Sequence, residues 1–174
     1  MTILKKELIG SDKKLLNDIK KIGWHVVHVP ADTEGPGFSF SVGLFKTFKH
    51  PEIIIIGLKI DLAHVLINNI GEDVSNKKKY QSGKFYSGIL DDFKCFMLKV
   101  SEKQYKEYLG TARGYYRGDD FPVLQCIFPT VTGKYPWEWP KEKKYLQPIL
   151  GDLHASKKKK GYKIKPAKPS FESF

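Results

Sequence analysis

Three residues in the first third of the chain have the types and spacing of acid–base chemistry. His50 and Glu52 are two positions apart, at the entrance to the strongly apolar run 53–56. A carboxylate at the mouth of a buried strand is partly desolvated, which raises its pKa toward that of a general base, and a nearby histidine can share its proton. Ser41, on the preceding predicted strand, offers a hydroxyl. The predicted catalytic set is therefore Glu52, His50 and Ser41.

A structural role also explains these residues, and this alternative stays open. Glu52 would then form an ion pair with Arg113, Arg117 or a lysine. Ser41 would belong to a polar strand face that ends at Gly43.

A second set of residues suits binding. Arginines alternate with tyrosines between positions 113 and 117, and acidic, amide and tryptophan side chains follow up to position 147. Such surfaces bind anionic or planar ligands, or form the hot spot of a protein interface. The same residue types also pack irregular, proline-rich segments, so a structural alternative stays open here too. The predicted binding residues are Arg113, Tyr115, Arg117, Asp119, Gln125, Trp137 and Gln147.

The sequence contains no motif that identifies a reaction. It has no glycine-rich nucleotide loop, no Gly-x-Ser-x-Gly elbow and no His-Glu-x-x-His helix. His25 and His28 differ by three positions, so on a strand they point to opposite faces and do not bind one metal ion. We therefore predict no metal site and no cofactor.

The charge of the chain is unevenly distributed. The net charge is +11, and seven of the 30 basic residues but only one of the 19 acidic residues lie from Ala155 onward. We predict a flexible, lysine-rich tail over residues 152–174. Its run Lys157–Lys160 is suited to nucleic acid or an acidic partner, but the tail has no arginine, so a solubilising terminus is favoured.

Length and composition predict a single domain, which we place at residues 1–151. Hydrophobic residues make up 41% of the chain, which is enough for a core at this length. Cys95 and Cys126 lie in apolar runs and are predicted to be buried free thiols. Residues 1–21 contain no apolar leader, and no apolar run approaches the roughly 20 residues that span a bilayer. We expect a cytoplasmic protein.

The hydrophobic pattern predicts an α+β fold with a mainly antiparallel or mixed β-sheet, about three flanking helices and an irregular Pro/Trp-rich C-terminal segment. Gly23 and Gly71 are predicted to end the first two helices, and residues 72–87 to form a polar loop or helix extension. The apolar run at 52–57 predicts a central strand that is covered on both faces. Helices are predicted at 11–22, 61–70 and 101–109, and strands at 24–29, 38–42, 52–57, 93–100 and 122–128.

Several segments together resemble an uncharacterised bacterial family, domain of unknown function 4262. They are Gly23-Trp24, Phe-Ser-Phe-Ser-Val-Gly-Leu at 38–44, His-Pro-Glu at 50–52 with the apolar run 53–58, Asp-Asp-Phe-Pro-Val-Leu-Gln at 119–125, Gly-Lys-Tyr-Pro-Trp at 133–137 and Gln-Pro-Ile-Leu-Gly at 147–151. The family has Tyr and Thr where this chain has Phe40 and Ser41. The resemblance implies no established reaction or cofactor. It suggests one spatial cluster of Ser41, Glu52, Asp119, Gln125 and Gln147.

Three functions follow as hypotheses. The first is a binding module of immunity or accessory type that uses the Arg/Tyr/Trp-rich surface; the basic charge favours an acidic protein partner or a small anionic ligand. The second is a small hydrolase or transferase with Glu52 or His50 as general base. The third is nucleic-acid binding through Lys157–Lys160.

Overall fold

The computed structural model describes residues 2–158, with side-chain detail for residues 12–155. A single six-stranded mixed sheet forms the centre, in the strand order β1-β2-β3-β6-β5-β4. The strands are β1 His25–Val29, β2 Phe38–Val42, β3 Glu52–Ile56, β4 Lys84–Tyr86, β5 Cys95–Lys99 and β6 Val123–Ile127. The helices are α1 Thr2–Ile22, α2 Leu44–Phe48, α3 Ile60–Ser75, α4 Tyr105–Tyr108, α5 Gly110–Tyr116 and α6 Leu153–Lys158. The predicted α+β class with a mixed sheet is confirmed.

The central strand is β3, as its apolar run predicted. All five of its residues are buried, because the sheet is covered on both faces. On one face Ile53 and Ile55 pack with helix α3. On the other face Ile54 and Ile56 pack with residues of α1, α4 and α5. β3 is antiparallel to β2 but parallel to β6, with Ile54 opposite Gln125.

Gly71 does not end the second helix, which was predicted to stop there. Helix α3 continues to Ser75, and the indole of Trp24 lies directly against the backbone at Gly71. A Cβ at this position would stand 2.4 Å from Cε2 of Trp24. The same indole donates a hydrogen bond of 2.9 Å from Nε1 to Oδ1 of Asn68. This glycine therefore allows a close approach rather than a helix end.

Strand β2 was expected to be half-buried, with a polar face of serines. Ser39 and Ser41 are instead 1% and 0% exposed. Helix α3 packs over this region of the sheet and removes both hydroxyls from solvent. Buried hydroxyls need hydrogen-bond partners, and those of both serines are given below.

Other boundaries also differ from the predicted ones. The first helix begins at Thr2 rather than near residue 11, and β4 lies within the stretch predicted as a polar loop. The third predicted helix is split into a 3₁₀ turn, Glu102–Gln104, and the short helix α4. Helix α5 occupies the Arg/Tyr-rich stretch, for which no helix was predicted. The two glycines at its positions 110 and 114 hid it from a propensity argument.

The C-terminal segment is irregular, as predicted, with two 3₁₀ turns at Pro136–Glu138 and Lys141–Leu146. Helix α6 begins the segment predicted as a tail, and residues 159–174 lie outside the described residues. Cys95 and Cys126 are buried and free, as predicted. Within residues 2–158, no helix has the length and apolar character needed to cross a membrane.

Candidate functional site

The carboxylate of Glu52 is fully buried and accepts five hydrogen bonds. The hydroxyl of Ser41 donates to Oε2 over 2.5 Å, and the hydroxyl of Tyr116 donates to Oε1. Three backbone N–H groups complete the shell, from Gly43 at 2.8 Å, Phe45 at 3.2 Å and Leu44 at 3.3 Å. These residues form the Glu52 network.

The network fills the place where two strands separate. β2 and β3 are paired as far as Phe40 and Ile54, after which the chain of β2 turns away into helix α2. Ser41 bridges the opening, because its Oγ accepts a hydrogen bond of 2.9 Å from the N–H of Ile53 while it donates to Glu52. The turn requires a glycine, since Gly43 has φ +115° and a Cβ there would stand 2.7 Å from the carbonyl oxygen of Gly23. Glu52 thus satisfies the N–H groups at the start of α2.

Two opposing effects act on the protonation of Glu52. Burial raises the pKa of this carboxyl, while the hydrogen bonds from Ser41, Tyr116, Gly43 and Phe45 favour the ionised form. Burial and the charge of Glu52 both raise the pKa of Tyr116, so the phenol keeps its proton and acts as a donor. The shell contains donors only, which suits an ionised carboxylate.

His50 is 4% exposed, and both its ring nitrogens are used within the fold. Nδ1 donates to the carbonyl oxygen of Pro51 over 2.8 Å, and Nε2 accepts a hydrogen bond of 3.0 Å from the N–H of Tyr80. Burial is the main cause that lowers the pKa of His50. The imidazole is therefore neutral, and it connects the entrance of β3 to the loop before β4 instead of forming a relay with Glu52.

Arg113 and Asp119 form an ion pair at the end of helix α5. The guanidinium Nε lies 2.5 Å from Oδ1, and a second nitrogen lies 3.4 Å from Oδ2. The two side chains are 34% and 32% exposed. Tyr115 packs edge-on against Tyr116, and Arg117 ends the helix in a left-handed conformation with φ 57°.

The other predicted binding residues make contacts within the C-terminal segment or between it and the region of strand β6. Gln125 binds the C-terminal segment through the carbonyl of Pro148 at 2.7 Å and the N–H of Leu150 at 2.9 Å. Gln147 pairs with both backbone groups of Phe128. Trp137 stacks on Tyr135 with a centroid separation of 4.8 Å.

The five residues expected to form one cluster are therefore brought together only in part. Ser41 and Glu52 are in contact, but Gln147 is bonded to Phe128, five positions along β6 from the partner of Glu52. At about 3.3 Å per strand residue, that offset is about 16 Å. Tyr116 also belongs to the network. It was not predicted, because 64 residues separate it from Glu52 in sequence. The only sequence signal was its place beside Tyr115.

A groove of about 870 Å³ opens at the end of the sheet where β5 ends and β6 begins. Its aromatic lining consists of Phe45, Tyr105 and Phe121. Its charged lining consists of Glu102, Asp119, Asp120, Asp152, Lys99 and Lys103. This space, called the charged groove below, includes Asp119 from the predicted site.

The charged groove and the Glu52 network share a wall. Phe45 belongs to both, because its N–H donates to Glu52 and the residue also lines the groove. The ring of Tyr116 stacks on that of Phe121 at 4.6 Å. In the part of the chain that is described, no group of three or more His, Cys, Asp or Glu side chains is arranged to hold a metal ion.

Fold and site together define an α+β protein with one mixed sheet, a sealed carboxylate and an open groove at the same end. The chain belongs to the family described as Domain of unknown function (DUF4262), whose family model matches residues 18–140. The matched range contains the Glu52 network and Asp119, and it ends before Gln147. Comparison with curated proteins and with solved structures found no match.

Proposed function

We propose that this protein is a binding module that holds a basic peptide segment of a partner protein in the charged groove. The groove itself carries the proposal, because its volume of about 870 Å³ lies in the range of ligand sites. The partly exposed ring of Phe45 offers apolar contact to the peptide, and the buried rings of Tyr105 and Phe121, 3% and 4% exposed, lie beneath it. A role as an immunity or accessory factor, which also consists of binding a partner, belongs to this proposal.

The charges of the groove favour a cationic ligand. Four acidic side chains line it against two lysines, and Arg113 pairs with one of the four, Asp119. This leaves an excess of one negative charge, although the chain as a whole has a net charge of +11. Local charge steers and selects a ligand more directly than net charge does. This reverses the ligand charge expected from composition, which was an acidic partner or a small anion.

An enzyme with Glu52 or His50 as general base receives less support. A general base must reach the proton that it removes. The carboxylate of Glu52 has no exposed surface, and five donors from the protein surround it. Both nitrogens of His50 have partners in the fold as well.

Nucleic-acid binding through Lys157–Lys160 is the remaining alternative. Lys159 and Lys160 lie outside the described residues. Removal of residues 155–174 tests this function, because phosphate binding by the lysines predicts an affinity that falls steeply with salt and is lost on truncation.

The test of the proposal uses two probe peptides. The basic probe contains three repeats of Lys-Phe-Lys, and the acidic probe contains three repeats of Glu-Phe-Glu. Fluorescence anisotropy with the full chain should show binding of the basic probe in preference to the acidic one. The double variant Glu102→Lys/Asp120→Lys reverses two charges of the groove. We expect it to weaken binding of the basic probe about tenfold or more, or about 1.4 kcal/mol.

The matched control is Glu34→Lys/Asp91→Lys, which changes the net charge equally at exposed positions outside the groove. This variant should keep the affinity of the original chain within about twofold, or about 0.4 kcal/mol. Equal weakening by both double variants would mean that net charge alone attracts the probe, and the proposal would be rejected. Preference for the acidic probe would reject it as well.

A further inference from the structure

A second cluster of polar side chains lies on the opposite side of the sheet from helix α5, under helix α3. His28 of β1 and Ser39 of β2 are direct cross-strand partners, and Nδ1 of His28 lies 2.7 Å from Oγ of Ser39. Nε2 of His28 then lies 3.0 Å from Nδ1 of His64, which stands on α3. Two imidazoles from different elements thus point their ring nitrogens at each other.

The two histidines differ in their access to solvent. Ser39 is 1% exposed and His28 is half-buried, whereas His64 is exposed. The buried hydroxyl of Ser39 therefore fixes the orientation of the His28 ring. The ring of His64 is exposed, so solutes can reach the pair of histidines. His25, three positions from His28, lies on the other face and contacts Asp18 at 2.7 Å, as its spacing predicted.

This arrangement is that of two metal ligands with one supporting residue. A histidine that binds a metal through one nitrogen almost always has a hydrogen bond at the other, which fixes its tautomer. Ser39 supplies that bond to His28. In a tetrahedral zinc site with Zn–N of about 2.05 Å, two nitrogens stand about 3.3 Å apart, and in a square-planar copper site neighbouring nitrogens are about 2.8 Å apart. The observed separation of 3.0 Å lies between these two values.

We infer that His28 and His64 form a binding site for a divalent transition metal ion, with Zn²⁺ and Cu²⁺ as the matching class. Imidazole nitrogen is a preferred ligand for both ions. The metal ion takes the place of the proton shared between Nε2 of His28 and Nδ1 of His64. That proton, on Nδ1 of His64, moves to Nε2 of the same exposed ring, while His28 keeps its own proton on Nδ1 toward Ser39. Both imidazoles thus bind the metal as neutral ligands. Water fills the remaining coordination positions, so the site is open and exchangeable.

The two histidines form a site of their own. Asp61 stands one turn before His64 on α3. The site is independent of the charged groove, because none of its residues lines that space. Its failure would therefore leave the proposed peptide binding unaffected.

The test titrates tag-free, full-length protein with Zn²⁺, and separately with Cu²⁺, by calorimetry at neutral pH. We expect one site. His28→Ala and His64→Ala should each reduce its affinity about 100-fold or more, and Ser39→Ala about tenfold, since loss of a supporting residue costs 10- to 100-fold. His25→Ala is the matched control and should bind as the original chain does.

Two further readouts separate this site from damage to the fold. The electron paramagnetic resonance spectrum of the Cu²⁺ complex should show two nitrogen ligands. Bound metal should also raise the melting temperature of the original chain and of His25→Ala, but not of His28→Ala or His64→Ala. Absence of binding in the original chain, or loss of binding in only one of the two histidine variants, would overturn the inference. Binding that survives in both variants would overturn it too.

Discussion

The two acidic sites at one end of the sheet differ in what surrounds each carboxylate. Glu52 has a shell of five donors from the protein and no exposed surface. Asp119 has one partner, Arg113, and about a third of its side chain faces solvent in the charged groove. Phe45 and the ring pair of Tyr116 and Phe121 link the two places.

This difference shows that a polar residue in an apolar run can serve as the hydrogen-bond acceptor for buried backbone N–H groups. The N–H groups at the start of helix α2 are buried, and buried donors without acceptors are costly. Glu52, at the start of β3, accepts hydrogen bonds from these N–H groups. In the charged groove, by contrast, Asp119 faces solvent and has the side chain of Arg113 as its ion-pair partner.

The largest effect is expected for Glu52→Ala. Removal of the carboxylate leaves three backbone N–H groups and two hydroxyls without their acceptor, so the free energy of unfolding should fall by about 4 kcal/mol or more. Urea unfolding followed by circular dichroism measures this change. Asp120→Ala, in the charged groove, is the control and should stay within about 0.5 kcal/mol of the original chain. A loss below about 1 kcal/mol for Glu52→Ala would erase the contrast between the two sites.

A smaller effect is expected for the two hydroxyl donors of the Glu52 network. Ser41→Ala should cost about 2 kcal/mol, because its Oγ both donates to Glu52 and accepts from Ile53. Tyr116→Phe removes the donor to Glu52 and an acceptor for the N–H of Lys46. Because that N–H is near solvent and water can replace its partner, the change should cost about 1 kcal/mol. The same unfolding experiment ranks them, with Ser41→Thr as a variant that keeps the hydroxyl. A larger loss for Tyr116→Phe would show that the bridge between β2 and β3 matters less than the contact with α5.

A third expected effect concerns pH and the buried His50. Since burial lowers the pKa of His50 in the folded state, the unfolded chain binds more protons near pH 6.5 and below. The stability contributed by the neutral imidazole is present above the unfolded pKa of about 6.5 and is lost as the pH falls toward the lower folded pKa. Melting temperatures between pH 8 and pH 5 should show this fall, and His50→Gln should flatten it. An equal slope in the variant would assign the effect to other groups.

The smallest effect on stability is expected at the open site. The Arg113–Asp119 pair is about one-third exposed, so solvent screens it and Asp119→Asn should cost less than about 1 kcal/mol. The same change should weaken binding of the basic probe peptide, measured by anisotropy. Unchanged probe affinity would move the binding surface away from Asp119.

The sequence predicted best the features that depend on apolar patterning. The run of isoleucines in β3 identified the central strand, because only a strand buried on both faces has that pattern at this length. The same reasoning failed for Ser39 and Ser41, since alternation with apolar residues does not reveal that a helix covers the polar face. Gly71 was misjudged because a glycine that ends a helix and one that admits an indole look alike in sequence.

The candidate site was predicted only in part for a different reason. Ser41 and Glu52 are close in sequence and come from adjacent strands, so their contact was within reach of pattern arguments. Tyr116 reaches Glu52 from 64 positions away, and such long-range contacts follow from the packing of α5 and not from any local signal. The pair of His28 and His64 likewise depends on how α3 crosses β1.

The parallel pairing of β3 with β6 has a consequence for folding. Strands β1, β2 and β3 are antiparallel neighbours in chain order, and so are β4, β5 and β6. Each half of the sheet can therefore assemble from local hairpin-like contacts. The seam between them joins segments separated by residues 57–122, and closing so long a loop is slow. We expect the two halves to form early and their joining at Ile54 and Gln125 to limit the folding rate.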